Sequence, residues 1–217
     1  MGSSTSWLAY SCKHCPLEDT EFQEWLLDQI GTRNPDVIID LGDGHEAISA
    51  SKWPHEYDWP LSYEFKTHNE YLASIRKVSK KSRKVYLRGN HDDNLLALNR
   101  INKQFRDLCD YRDHEPELNH WEQPTTYEYC REEGVFRLGQ VTFGHGWETG
   151  PSADEMQSII LGVPYGLWVG GHTHRPLPVT QARRTQTVPI PYWFSNAGTG
   201  RDIHNVPYMN RKRRHLW

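Results

Sequence analysis

The sequence VIIDLGD, residues 37–43, places a Gly-Asp pair directly after a run of apolar residues. The same arrangement recurs in VYLRGNHD at 85–92 and in LWVGGHTH at 167–174. Each apolar run is typical of a buried β-strand. Because open α/β sheets build their sites at the carboxyl ends of strands, the polar side chains after the three runs are expected to converge. A carboxylate, an amide oxygen and several imidazoles at one sheet edge predict a two-metal centre that hydrolyses phosphate esters.

Periodicity elsewhere predicts the elements of an α/β fold. Two strands, 7–13 and 37–41, flank a helix at 19–31, and such a unit implies parallel pairing through a right-handed crossover. Further helices are predicted at 62–80, 94–106 and 152–162, further strands at 84–88 and 166–170, and hairpins at 135–143 and at 179–190 with 192–195. Strand–helix units followed by hairpins predict a four-layer α/β/β/α sandwich, in which two mixed β-sheets pack face to face with helices outside.

Length and composition fit one domain. A chain of 217 residues, 36% hydrophobic and 24% charged, can bury a single core. We therefore expect one domain over 1–217, with a candidate lid around 45–61 and a basic C-terminal tail at 205–217. The polar and aromatic segment 107–133 is expected to be a loop, with a short strand as an option.

The charge pattern limits the partners. A net charge of −3 excludes a molecule that binds polyanions over its whole surface. Basic residues are concentrated at 76–84 and at 211–214. A solvated helix end and a solvated tail explain these clusters, and local attraction for phosphate is the alternative.

The sequence also bears on the compartment. No apolar stretch approaches the ~20 residues of a membrane-spanning helix, and no signal-peptide pattern is visible. Four cysteines without a secretory signal predict a reducing, cytoplasmic location with free thiols and no membrane partner.

Taken together with His145, the three motifs resemble the calcineurin-like metallophosphoesterase family. The resemblance runs from residue 7 to about residue 200. It implies two divalent metal ions, with Mn, Fe and Zn as candidates, that share Asp43. By position, the implied ligands are Cys12, His14, Asp43 and His174 for the first ion and Asp43, Asn90, His145 and His172 for the second. Neutral imidazoles and an amide leave positive charge that can activate water and clamp phosphoryl oxygens.

Cys12 departs from the family pattern. Where the family has Asp-x-His, residues 12–14 read Cys-Lys-His. A thiolate ligand would favour softer ions such as zinc or iron over magnesium. Alternatively, the first ion is held weakly, or the chain is a catalytically inactive member. A zinc knuckle of Cys12 and Cys15 is disfavoured, because Cys109 and Cys130 lack the spacing of a second pair.

His91 is the candidate for proton chemistry. In the calcineurin-like family, the histidine after the ligand Asn stabilises the transition state or protonates the leaving oxygen. The next acidic residue orients that histidine. Here that residue is Asp92, and a carboxylate behind an imidazole suits a general acid. The implied reaction is in-line attack on phosphorus by a metal-bound hydroxide, with His91 assisting the departing alkoxide.

Three residues are weaker candidates for substrate contact. Arg88 and Arg175 flank implied ligands and could contact substrate phosphate, although solvated arginine is the simpler interpretation. His45 could line the pocket or belong to the loop alone. Glu46 is expected to support the loop rather than to bind metal.

The substrate is a phosphate ester, and its class is only partly indicated. Protein phosphatases of the family carry Gly-Asp-x-x-Asp-Arg-Gly and Gly-Asn-His-Glu, whereas this chain has Glu46 and Asp92 at the acidic positions. That pattern resembles the phosphodiesterase and nuclease branches, so a phosphodiester is expected, with a nucleotide or nucleic acid as candidates. The alternatives are a phosphomonoesterase and a non-catalytic metal- or phosphate-binding member of the fold. Ligand motifs specify the reaction better than the leaving group.

Overall fold

The computed structural model of the protein describes residues 4–48, 57–101, 111–124, 134–183 and 189–202, without the side chains of 96–101 and 111. Its strands are β1 (Trp7–Tyr10), β2 (Val37–Asp40), β3 (Arg83–Tyr86), β4 (Val135–Leu138), β5 (Val141–Gly144), β6 (Leu167–Gly170), β7 (Leu177–Gln181) and β8 (Trp193–Asn196). Its helices are α1 (Thr20–Arg33), α2 (Leu61–Val78), α3 (Asn90–Ile101), α4 (Tyr111–His114) and α5 (Ala153–Leu161), with a 3-10 helix at Pro116–His120.

The described strands form two sheets. The first has the order β1-β2-β3, and all three strands are parallel. The second has the order β4-β5-β6-β8-β7, in which β5, β6 and β8 are parallel and β4 and β7 are antiparallel to their neighbours. The carboxyl ends of β2 and β3 therefore lie side by side, and so do those of β5 and β6. These are the four strand ends that the sequence motifs follow.

Alternate residues of β2 face two different cores, because successive side chains of a strand point to opposite faces. Ile38 packs with residues of the helical layer such as Leu26 of α1. Val37 and Ile39 pack with Phe143 of the second sheet. Helix α5 packs against β6 and β8. The predicted four-layer sandwich, with helices outside two facing sheets, is confirmed.

Helix α1 is bounded by local signals. The side chain of Asp19 accepts a hydrogen bond from the backbone N–H of Phe22 at 3.0 Å and so caps the first turn. Asn34 ends the helix in the left-handed conformation, with φ 46°. Phe22, Leu26 and Ile30 form the buried stripe between these ends. Both ends of the helix that connects β1 to β2 are therefore set by local interactions.

Strand β1 is shorter than the predicted 7–13. Beyond Tyr10 the chain leaves the extended conformation, because residues 12–15 bond to the loop after β2 instead of to a strand. The backbone N–H of Cys12 donates to Gly42 O at 3.0 Å, and that of His14 donates to Asp43 O at 3.0 Å. This turn carries Cys12 and His14 to the end of β2.

Other predicted segments differ in detail or fall outside the description. The described part of 107–133 contains α4 and the 3-10 helix rather than loop alone. The predicted arm 179–190 is shorter as β7, which lies at the edge of the second sheet beside β8. In the candidate lid, residues 49–56 lie outside the described residues, as does the basic tail from 203 onward. The lid and the tail stay predictions.

Ile39 tests the packing between the sheets. Its side chain is fully buried, so Ile39→Ala should leave a cavity and lower the free energy of unfolding by about 2–5 kcal/mol. Ile160→Ala on α5 is the matched control, because Ile160 is 57% exposed and should change stability by no more than about 0.5 kcal/mol. Urea unfolding followed by circular dichroism measures both, and equal losses would contradict the layer assignment.

Candidate metal centre

Left-handed backbone is concentrated at the strand ends. Of the eight non-glycine residues with positive φ in the described chain, five belong to the implied ligand set. They are Cys12 (54°), His14 (53°), Asp43 (53°), His172 (60°) and His174 (56°). Such conformations are uncommon for residues with a side chain and cluster at functional sites. The loops that carry the donors are thus held in a shape that local preference alone would not select.

Two glycines let the loops after β2 and β3 meet. A Cβ atom on Gly42, which has φ 95°, would overlap the backbone of Gly89. A Cβ atom on Gly89 would overlap the Asp43 carboxylate. The Gly-Asp and Gly-Asn motifs therefore interlock, and Asp43 lies directly against the second loop.

One group of donor atoms lies between the two sheets' loops. Cys12, His14, Asp43 and His174 each offer an atom within 4.8 Å of the others. His14 Nε2 lies 3.1 Å from His174 Nε2 and 3.7 Å from Asp43 Oδ2. All four residues are buried. These are the residues that the sequence implied for the first ion.

A second group shares Asp43. His145 and His172 each place a donor atom within 4.8 Å of the Asp43 carboxylate. His145 Nε2 is 3.1 Å from Asp43 Oδ2 and 3.1 Å from Asn90 Oδ1. His172 Nδ1 is 2.7 Å from the same Asn90 oxygen. The set implied for the second ion therefore also converges, with Asp43 in both groups.

The protonation of these groups suits cation binding. Burial, together with the neighbouring imidazole of His91, lowers the pKa of His14 to about 4. Burial and His145 lower the pKa of His172 to about 4. Burial opposes ionisation of Asp43, but the adjacent His145 and His91 hold the pKa of its carboxyl well below the usual value. Burial opposes protonation of His145, but Asp43 raises its pKa, so a cation would have to displace a proton there. Imidazoles and an ionised carboxylate are ligands of divalent cations such as Zn, Fe and Mn, so the residues present fit such ions.

A family model described as calcineurin-like phosphoesterase matches residues 11–176, most of the described chain. The chain belongs to this family. Membership indicates a metal-dependent hydrolase that acts on phosphate esters.

Two other comparisons accompany the family match. The phosphoesterase Yfce from E. coli is a similar solved structure at 17% identity and a TM-score of 0.46, covering 94% of this chain and 84% of that one. No curated protein matches the chain. Among the described helices of this phosphoesterase, none combines the length and apolarity needed to cross a membrane.

The imidazole of His14 is oriented by the buried ion pair of Glu46 and Arg201 in this phosphoesterase. Glu46 Oε2 lies 2.9 Å from His14 Nδ1 and 2.6 Å from a guanidinium nitrogen of Arg201. A carboxylate on one imidazole nitrogen fixes the ring so that the other nitrogen faces the donor group. Glu46 also forms a candidate ligand group with His14 and His91. Its support of the loop, rather than metal binding, stays a prediction. Arg201 was not foreseen, because it follows β8, far along the chain, and no motif marks it.

Cys12 belongs to the first donor group, and its sulfur contacts two polar groups of the protein. Its Sγ is 2.9 Å from Ser11 Oγ and accepts the backbone N–H of His172 at 3.3 Å. Burial, and then the charge of Asp43, raise the pKa of the thiol well above its usual range. A cation would have to displace the thiol proton for Cys12 to ligate. The three interpretations of Cys12 stay predictions.

His91 lies beside the first donor group but is not one of its members. Its Nδ1 is 2.6 Å from the backbone oxygen of Glu46, and its ring meets that of His14 edge-on, with centroids 4.5 Å apart. A carbonyl oxygen only accepts, so Nδ1 carries the proton and Nε2 remains for chemistry. His91 is half-buried, and its backbone N–H donates to Asp43 Oδ1 at 2.9 Å.

The expected pairing of Asp92 with His91 is corrected. The Asp92 carboxylate turns into the interior, where it accepts the Nδ1–H of His45 at 2.9 Å. It also accepts the backbone N–H groups of Asp43 at 3.0 Å and Gly89 at 2.8 Å. Because these inward donors engage Asp92, the group that orients His91 is the Glu46 carbonyl. Asp92 instead ties the two ligand loops together.

The substrate-contact candidates are also placed. His45 is 0% exposed and lies in the interior. The prediction that it could line the substrate pocket is therefore corrected. Arg88 is buried with its Nε 3.5 Å from Asp93, and Arg175 donates to Gly150 O at 2.6 Å. Both arginines are thus engaged with the protein, and substrate contact by either remains a prediction.

The basic cluster at 76–84 is less available for phosphate than its sequence suggests. Arg76 pairs with Glu117 and Arg83 with Glu122, each at 2.6 Å. Lys84 donates to the carbonyls of Ser79 and Ser82. The second cluster, 211–214, lies outside the described residues.

Gly89 tests the interlocked loops. Gly89→Ala should push the Asp43 carboxylate from its position, and we expect at least one divalent ion per chain to be lost, as measured by mass spectrometry of dialysed protein. Gly31→Ala in α1 is the control, because nothing lies within 4 Å of the added carbon. It should bind metal normally and raise stability by about 0.5–1 kcal/mol. Full metal content in Gly89→Ala would contradict the close approach.

Proposed function

We propose that this phosphoesterase hydrolyses phosphodiesters at a dinuclear metal site. The observation that carries the proposal is the Asp43 carboxylate, which belongs to both donor groups. A shared carboxylate can hold two cations ~3.5–4 Å apart, the spacing of two-metal hydrolases. The first cation would be held by His14, His174 and Asp43, with Cys12 adjoining. The second would be held by Asp43, Asn90, His145 and His172.

When bound, such ions activate a water molecule and neutralise charge on the phosphoryl oxygens. The contribution of the protein itself is a histidine, His91, positioned to transfer a proton. His91 Nδ1–H is fixed on the Glu46 carbonyl, so Nε2 is the atom that takes up and delivers a proton to the leaving oxygen. A positioned general acid typically contributes ~10²–10⁴-fold to the rate.

The diester preference rests on the sequence pattern of the acidic positions, Glu46 and Asp92. The neutralised Arg76 and Arg83 give no further support for nucleic acid, so a smaller diester such as a nucleotide is the favoured substrate class. A cytoplasmic location is part of the proposal, because the described thiols of Cys12 and Cys15 are free. The second candidate function is metal or phosphate binding without turnover. The departure from the family pattern at Cys12, where the family has Asp, is the observation behind that alternative.

His91→Ala separates catalysis from binding. After loading with Mn, Fe or Zn, the unsubstituted protein should hydrolyse bis-p-nitrophenyl phosphate faster than p-nitrophenyl phosphate. We expect His91→Ala to lose ~10²–10⁴-fold in kcat while keeping its metal, because His91 nitrogens lie outside the shared donor groups of Asp43. His120→Ala, at an exposed histidine of the 3-10 helix, is the control. No turnover of either ester by the loaded protein would favour the binding alternative.

Cys12→Asp tests the departure from the family pattern. If the thiolate ligates, replacing it by a carboxylate should shift the first site from zinc toward manganese, because carboxylates prefer harder ions. Competitive titration with the two ions measures the ratio of affinities. Cys15→Ala, at a buried thiol outside the donor groups, is the control. An unchanged zinc-to-manganese ratio would show that Cys12 does not ligate.

A further inference from the structure

Another cluster of metal-ligand side chains lies in the helical layer, apart from the donor groups around Asp43 and from the group of His14, Glu46 and His91. It consists of His45 after β2, His68 in the middle of α2, and Glu115 before the 3-10 helix. All three residues are 0% exposed. One donor atom of each lies within 4.8 Å of the others. We call this set the buried histidine cluster.

The ring nitrogens of the buried histidine cluster point at one carboxylate. His45 Nε2 is 2.6 Å from Glu115 Oε1. His68 Nδ1 is 3.1 Å from that oxygen and 3.0 Å from Oε2, so the carboxylate is turned side-on to the ring. Two imidazole nitrogens and two carboxylate oxygens thus converge from three separate segments. Zinc takes four such donors, at ~2.0–2.2 Å from each.

His45 has the support that metal-binding histidines usually have. Its other nitrogen, Nδ1, is hydrogen-bonded to Asp92 Oδ1 at 2.9 Å. A carboxylate behind the ring can hold the proton on Nδ1, so that an ion could take the place of the Nε2 proton that Glu115 now accepts. The imidazole of His68 is held by the helix, and its edge-on contact with His45 places the centroids 4.5 Å apart.

Charge balance also favours a dication. Asp92 and Glu115 are two carboxylates in the interior, and burying ionised groups without compensation is costly. The buried ammonium of Lys13 is committed to Asp40, with both oxygens at 2.6–2.7 Å. A divalent ion with neutral imidazoles would balance the two carboxylates.

We propose that His45, His68 and Glu115 bind a structural zinc ion, separate from the proposed dinuclear site. Its donors are not those of the family's ligand motifs, so it would be a feature of this chain. Through His45, the ion would fix Asp92, which in turn holds the backbone of Asp43 and Gly89. The inference does not depend on turnover, so it can fail or succeed independently of the proposed function.

The first test counts ions. The full-length protein is stripped with a chelator, dialysed against buffered zinc and analysed for zinc per chain. His68→Gln should bind one zinc fewer than the unsubstituted protein. His120→Gln, the same change at an exposed histidine, should bind the full number. Equal zinc content in a folded His68→Gln protein would overturn the proposal.

The second test needs no variant and therefore stands even if His68→Gln does not fold. Crystals of the zinc-loaded protein are measured on both sides of the zinc absorption edge. We expect an anomalous peak bounded by His45 Nε2, His68 Nδ1 and the Glu115 carboxylate. If the cluster shows no peak while the donor groups around Asp43 do, then hydrogen bonds alone hold it and the proposal is wrong.

Discussion

The carboxylate of Asp92 connects the parts of the site that must stay together. It is completely buried and accepts hydrogen bonds from the backbones of Asp43 and Gly89, from Tyr86 Oη and from His45. These partners lie on β3 and on the loops after β2 and β3. Although burial by itself opposes ionisation, the hydrogen bond from His45 keeps the pKa of Asp92 well below its usual value. Asp92 therefore stays ionised, and an ionised acceptor makes the stronger bonds to backbone N–H groups.

That anchoring explains how the ligand loops tolerate their backbone conformation. Asp43 has φ 53° and lies against Gly89, where even a methyl group would not fit. A residue held in a sparsely populated conformation persists only when its surroundings over-determine it. The bonds from the Asp43 backbone to Asp92 and from His14 to the Asp43 carbonyl supply that constraint. A fixed carboxylate can then serve two donor groups at once.

Beneath these loops the interior is unusually polar. Lys13 and Asp40 form a fully buried ion pair, and the Lys13 ammonium lies 5.2–5.8 Å from the ring centroids of Tyr10, Tyr71 and Tyr86. Removing one member of such a pair leaves an uncompensated charge, which is far more costly than the pair itself. In residues 12–14, two candidate metal ligands, Cys12 and His14, therefore flank the buried cation Lys13. The Cys12 and His14 side chains go to the metal centre, and that of Lys13 goes to the opposite core.

The fold and most of the donor set could be read from the sequence, because both depend on short-range patterns. Apolar runs ending in Gly-Asp, Gly-Asn-His-Asp and Gly-His-Thr-His predict strands with ligands at their carboxyl ends, and parallel pairing of β1, β2 and β3 brings those ends together. The layer order followed from strand–helix units preceding hairpins. These predictions needed no knowledge of which distant side chains would meet.

Only the tertiary structure decided which partners stand behind the donors. Asp92 follows His91 directly, so adjacency suggested that they pair, yet a helix begins at Asn90 and turns the two side chains to different sides. Glu115, His68 and Arg201 carry no motif, and their meeting with His45 and Glu46 depends on how α2, the 3-10 helix and the segment after β8 pack. Sequence determines which residues follow each strand, whereas three-dimensional packing determines which of them share a charge or a proton. The reason is that contacts between distant segments leave no regular spacing in the chain.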